Sequence, residues 1–264
     1  MPLAAGVPMA RGHSAKLPLG HRVVVLGDNS TRALAAATGF VSTAADLARF
    51  FGRLDPEAPD SVLSVASRRE ITRRHWRDPA TAFERHYGLG VFIGRAAETD
   101  WFGHSGGFQG FISQTVVMPA HGISVSLVTN TVERYANWWA DGVIQIVAAC
   151  ARRAAPEPAV ADWGGRWWNL WGAVDLVPLG NRVLVAAPAL LNPLADAAEI
   201  AVTGPDEGRI VSDPGTGHHG EPVRRRRGAD GAVSELWLGG VRYLPEPVIK
   251  AELQARYRAA QEAR

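Results

Sequence analysis

Cysteine and lysine are nearly absent from this chain. Cys150 is the only cysteine in 264 residues, which excludes an internal disulfide and any cysteine-built metal cluster. It sits in the apolar run "VIQIVAACA", where a small buried hydrophobe is the expected role. Lys16 and Lys250 are the only lysines, so arginine supplies nearly all of the 28 basic side chains. Those 28 face 26 acidic ones, a net charge of +2 spread along the chain. No field-driven attraction to nucleic acid or to an anionic membrane follows from that balance. No apolar run approaches the about 20 residues that a helix needs to cross a bilayer. The start, "MPLAAGVPMARGHSAKLPLG", lacks a basic-then-apolar leader; localisation is left open, cytoplasmic by default. No phosphate-cradling glycine loop is present, and no cofactor is expected. His218 and His219 diverge in an extended segment without carboxylates at ligand spacing, so no metal site is expected. His13, His75, His86 and His121 fall in loops or near helix ends.

What is present falls into two stretches. Residues 1 to about 37 read as irregular. Thr43 and Asp46 have the spacing of a capping box, and Leu47, Phe50, Phe51 and Leu54 recur at helical period. A second helix is expected over Val65 to Arg74, capped by Ser64. "YGLGVFI" (Tyr87 to Ile93) and "DWFGHSGG" read as strands, and "FISQTVVMP" and "ISVSLVTN" as a hairpin turning at 119–122. A helix over Ala136 to Ala154 closes this part, with arginines near its end. Beyond the proline-bearing linker "AAPEPAVADW", eight short segments separated by turn residues suggest a small antiparallel barrel or sandwich. A last helix is expected over about Val248 to Ala263. The expected fold class is α+β, divided into residues 1–154 and 163–264.

Gly103-His104-Ser105-Gly106-Gly107 spells G-x-S-x-G, the pattern of a nucleophile elbow. An elbow needs a helix directly after its serine. Ser105 is instead followed by glycines and then by alternating, β-branched "FISQTVV", which is poor helix material. No companion His-Gly-Gly-Gly loop accompanies it. The stretch reads better as a strand lining a site. Its glycines let a substrate backbone come close, and a main-chain N–H can point at a carbonyl oxygen.

"ATGFVSTAADLARFF", "YGLGVFI", "GHSGGFQGFISQTVVMP" and "ISVSLVTN", in that order, resemble the C-terminal half of the serine β-lactamase-like family. That family includes class C β-lactamases, penicillin-binding D-Ala-D-Ala peptidases and related esterases. The resemblance covers about Ala36 to Ala154. The remainder resembles, more weakly, the small β-domain that follows many such hydrolase domains. Family members carry S-x-x-K, then Y-x-N or S-D-N, then K-T-G or H-S-G on a sheet strand. By resemblance His104-Ser105-Gly106 is the third motif. It implies that His104 and Ser105 hydrogen-bond the substrate or the shuttled proton, that Gly106 leaves room, and that the Gly107 N–H is one of two oxyanion donors.

The first motif is missing. Position 13, before Lys16, is a histidine, and position 247, before Lys250, is a proline, so no S-x-x-K exists in the chain. Tyr135-Ala136-Asn137 spells Y-x-N but follows the third motif, and reads as a coincidence of spelling. The expectation is therefore a chain that begins partway through a β-lactamase/transpeptidase-like domain, an incomplete one, and is inactive alone. In a complete protein it would take part in acyl-enzyme hydrolysis of an ester, amide or β-lactam in a small-molecule or peptide-like substrate. Two alternatives stand beside this. One is a non-catalytic protein that binds a peptide-like or apolar ligand. The other is a subunit completed by an N-terminal partner chain carrying the nucleophile.

Two further features read as structural. Trp163, Trp167, Trp168 and Trp171 could stack on a sugar, but such a cluster more often fills a small barrel. Arg224 to Arg227 alternate faces in a strand, so at most two point the same way; a solvated hairpin or inter-domain salt bridges are expected rather than a phosphate site.

Overall fold

Hairpin follows hairpin through most of the computed structural model, which describes residues 8–16, 20–25, 31–79, 85–133, 135–214 and 217–262. The opening "MPLAAG" segment, where the expected truncation begins, lies outside the described residues, as does Ala263 at the expected end of the last helix. The chain divides into two compact units, Met1–Ile144 and Gln145–Arg264. Both are built on antiparallel sheets with few helices, a mixed α and β architecture.

In the first unit, α1 (Ala44–Gly52) starts where its cap predicts. The Thr43 hydroxyl accepts from the Asp46 N–H at 3.1 Å and donates to the Asp46 carboxylate at 2.9 Å. That differs from a reciprocal capping box, in which the acidic side chain would reach back to the cap N–H. A second helix, α2 (Val65–Ile71), is capped by the Ser64 hydroxyl accepting from the Ser67 N–H. It ends three residues short of the predicted Arg74. Thr72 turns its hydroxyl back to the Arg68 carbonyl, and the Ile71 carbonyl accepts from the Leu89 N–H, a partner outside the helix.

Six strands follow as a simple meander: β1 (Trp76–Arg77), β2 (Arg85–Tyr87), β3 (Phe92–Ala96), β4 (Thr99–Phe108), β5 (Phe111–Met118) and β6 (Ile123–Thr129). β1 was not legible in the sequence. The predicted strand Tyr87 to Ile93 is interrupted: Tyr87 ends β2, Phe92 and Ile93 open β3, and residues 88–91 turn between them. Gly88 donates to the Val91 carbonyl at 2.8 Å, and Gly90 has φ +81°, a region that glycine enters without steric cost. Val91, Ile93, Phe102 and Val117 form a buried cluster, with Phe51, Leu54 and Ile71 packed on it. Phe50, predicted on the same stripe, stays exposed. α1 lies against β5 and β6, and β6 carries no partner strand on its outer side among the described residues. Near the start of the chain the His13 N–H donates to the Gly110 and Asn130 carbonyls at 3.3 and 3.0 Å.

Helix α3 (Tyr135–Arg153) buries Ala136, Ala140, Ile144 and Ala148, one residue every turn. Cys150 is exposed, which corrects the expectation of a buried thiol. Two residues beyond Ala148 is about 200° around a helix at 3.6 residues per turn, hence the opposite face.

The second unit is an eight-stranded antiparallel meander. Its strands are β7 (Gly165–Asn169), β8 (Gly172–Leu179), β9 (Arg182–Ala186), β10 (Ala198–Gly204), β11 (Glu207–Ser212), β12 (Pro222–Arg227), β13 (Val233–Leu238) and β14 (Val241–Tyr243). Trp168 and Leu244 exchange backbone hydrogen bonds of 2.8 and 2.7 Å. That ties the end of the meander to its beginning, a nearly closed barrel rather than a sandwich. Inside it pack Trp163, Trp167, Leu176, Val183, Ile200, Ile210, Val223 and Leu236. The last helix, α4 (Glu246–Glu262), starts two residues before the predicted Val248 and buries none of its side chains.

Candidate functional site

Strand β4 runs through the whole Gly103-His104-Ser105-Gly106-Gly107 stretch without a break. No helix springs from Ser105, so the elbow reading ends here. β5 pairs with β4 in unbroken register from Phe102↔Val117 to Phe108↔Phe111. β3 pairs only as far as Phe92↔Gly103. From His104 to Phe108 the β3 side of β4 has no partner strand among the described residues.

Which backbone groups face that open side follows from two turns. Gln109 and Gly110 have φ +36° and +92°, and Ala97 and Glu98 have φ +48° and +63°. Both are two-residue loops with positive φ throughout, the hairpin geometry in which the flanking residues exchange hydrogen bonds. Phe108 is thus bonded to Phe111, and by alternation Gly106 and His104 are bonded to β5 as well. From the other hairpin, Thr99, Trp101 and Gly103 are bonded to β3. Both turns give one parity: Ser105 and Gly107 turn their N–H and C=O groups to the open edge.

The side chains complete the picture. Ser105 is half-buried, and its hydroxyl has no partner among the described residues. Gly106 and Gly107 are exposed. A Cβ on Gly106 would meet the Ser113 hydroxyl at 2.6 Å, and one on Gly107 would meet Ile112 Cδ1 at 3.1 Å. Gly103 is far more constrained, because a Cβ there would lie 1.9 Å from the Thr115 carbonyl oxygen.

His104 is held on three sides. Its Nε2 lies 3.0 Å from the Tyr87 hydroxyl, and its Nδ1 lies 2.5 Å from the Ser105 carbonyl oxygen. The ring stacks on Phe92, with centroids 4.8 Å apart and planes at 26°. Phe92 in turn carries the Arg85 guanidinium 4.4 Å from its centroid. Tyr87 is therefore a site residue that sequence reading passed over. Its only signal was its place at the head of "YGLG".

The Y-x-N spelling falls elsewhere. Tyr135 packs against Trp138 and Trp139, and Asn137 donates to Gln114 Oε1 at 2.7 Å. Gln114 is buried and sits opposite Ser105 in the β4–β5 register. No group of three metal-ligating side chains occurs among the described residues, and no helix there is long and apolar enough to cross a membrane.

The two remaining sequence features resolve within the second unit. Trp163 and Trp167 are core residues whereas Trp171 is 90% exposed at the β7–β8 turn, so the tryptophans form no single platform. Arg225 is buried and donates to Asp162 and to the Pro205 carbonyl. Arg227 pairs with Asp206 and Asp162. These salt bridges lie inside the barrel unit, whereas the sequence suggested a solvated hairpin or salt bridges between domains. Burial works against ionisation of Asp162, but hydrogen bonds from Arg225 and Arg227 outweigh it and hold the carboxyl below the usual range. Asp206 is held low chiefly by Arg227.

The family model for Beta-lactamase matches residues 4–144. Among curated proteins none matches. Among solved structures, the chain is similar to the octameric penicillin-binding protein homologue from Pyrococcus abyssi, at 15% identity and a TM-score of 0.34, over 73% of this chain and 44% of that one. It is also similar to SurE, at 18% identity and a TM-score of 0.39, over 92% of this chain and 57% of that one. A structure of SurE with D-Leu gives 18% identity and 0.35, over 81% and 52%. The chain spans about half the length of the solved structures it matches.

Proposed function

Because the chain belongs to the Beta-lactamase family, whose model covers residues 4–144, we propose that it supplies the substrate-docking wall of a serine hydrolase and lacks the attacking group. The observation that carries this reading is the edge of β4 that has no partner strand among the described residues, where Ser105 and Gly107 present backbone groups and the Ser105 hydroxyl has no partner among those residues. An extended ester, amide or β-lactam substrate would lie along that edge. The Gly107 N–H would donate to the oxyanion of the tetrahedral intermediate, a role worth about 2.7–4 kcal/mol in enzymes where one such donor has been removed. Gly106 would leave space for the acyl group, and His104 and Ser105 would bind substrate or the shuttled proton. The reaction in the complete protein would be acyl transfer to a serine and then to water, without metal or cofactor.

The sequence holds no S-x-x-K. In a well-studied serine protease, loss of the nucleophile costs about 10⁶ in kcat. The chain alone should therefore leave a chromogenic cephalosporin and p-nitrophenyl esters unhydrolysed. A partner segment carrying S-x-x-K and Y-x-N, added in trans, should bring activity. The outer edge of β6, which has no partner strand among the described residues, supports such complementation, since an exposed strand edge is a ready template for pairing. Stoichiometric acylation of Ser105 in the chain alone would overturn the proposal. We further propose that residues 163–264 act as an accessory β-domain outside the chemistry.

A further inference from the structure

We infer that the Ser105 carbonyl selects the Nδ1–H tautomer of His104 and that Tyr87 is a positioning residue that holds the ring against that carbonyl. A carbonyl oxygen can only accept, so the 2.5 Å contact with the Ser105 carbonyl requires the proton on Nδ1. In the neutral ring Nε2 then carries the lone pair, and the Tyr87 hydroxyl at 3.0 Å donates to it. Phe92 stacked on the imidazole, and the edge of the Tyr87 ring at 5.8 Å, keep the ring from turning over. Both nitrogens are committed. His104 is therefore held as a fixed ring beside the open edge, and since the Tyr87 hydroxyl can rotate from donor to acceptor, a proton could be passed to Nε2 without either ring moving.

The lock also reaches the edge itself. The Ser105 carbonyl is one of the groups that alternation turns toward the unpartnered side of β4, and His104 Nδ1–H occupies one of its two lone-pair directions. Tyr87 thus acts through His104 on the orientation of a peptide unit whose other end is the Gly106 nitrogen. The importance of this for acyl transfer rests on the function proposed above; the tautomer does not.

Nitrogen-15 NMR on the whole chain tests the inference directly. Two-bond proton–nitrogen correlations distinguish a protonated from a lone-pair nitrogen, and the His104 signals are assigned by their loss in His104→Gln. Spectra recorded well above the ordinary imidazole range near pH 6.5 should show Nδ1 protonated and Nε2 unprotonated. Tyr87→Phe removes only the hydroxyl that holds Nε2; the ring should then leave the Ser105 carbonyl, and its Nε2 signal should move toward the protonated type as the tautomers mix. A wild-type ring protonated on Nε2 overturns the inference, and so does an unchanged pattern in a folded Tyr87→Phe protein. If that variant does not fold, the wild-type tautomer alone decides. Failure of trans-complementation would sink the proposed hydrolase and leave this spectrum untouched.

Discussion

The Arg225 guanidinium lies 4.2 Å from the centre of the Trp163 ring while donating to Asp162, one residue before that tryptophan. A single buried cation thus ties β12 to the segment that places Trp163 in the barrel core. Arg225→Ala removes the cation–π contact and leaves the Pro205 and Asp162 carbonyls without their donor. Asp162 stays largely exposed, so the loss is that of the cation–π contact and the hydrogen bonds to the two carbonyls, about 2–4 kcal/mol. Urea unfolding followed by tryptophan fluorescence should show that loss; a change below about 1 kcal/mol would contradict the assigned role.

The same cluster sets an acid limit. Asp162 and Asp206 have folded pKa values below their unfolded ones. Their contribution is complete above the ordinary aspartate range near 3.9. It is lost as pH falls through the depressed folded values. Thermal melts of the wild type should therefore fall over that acidic window. Asp162→Asn combined with Asp206→Asn should melt lower at neutral pH and show a shallower acid slope.

Glycines in the motif strand should differ in tolerance. Gly103→Ala would set a methyl against the Thr115 backbone, and β5 cannot yield without breaking its register. The expected loss is about 3 kcal/mol or more. Gly107→Ala meets only the end of the Ile112 side chain, and should cost under about 1 kcal/mol. Chemical denaturation of the two variants side by side reads the contrast; equal losses would refute the register.

Cys150 should react as an exposed thiol. The folded chain should take up one equivalent of a thiol-disulfide reagent without denaturant, and Cys150→Ser should take up none. Labelling that needs urea would mean that the thiol is covered.

Period-two alternation and turn glycines made the strands of the second unit readable, seven or eight being expected and eight forming, but whether they made a barrel or a sandwich was left open. The helix caps at Thr43 and Ser64 were readable for the same reason, because each is a contact made within four residues. "YGLGVFI" misled, since its apolar residues suit a strand while Gly88 and Gly90 are there to turn the chain. That Gly103 to Gly107 lie on a strand was legible in the residues, and so was the lack of an S-x-x-K. The usefulness of that strand was not. That β3 stops at Phe92 while β4 continues to Phe108, and that Tyr87 meets His104 across the gap, are consequences of strand pairing. Local sequence fixes which way a residue faces along its own strand. Only the partner's length and register decide which backbone groups are left for a substrate.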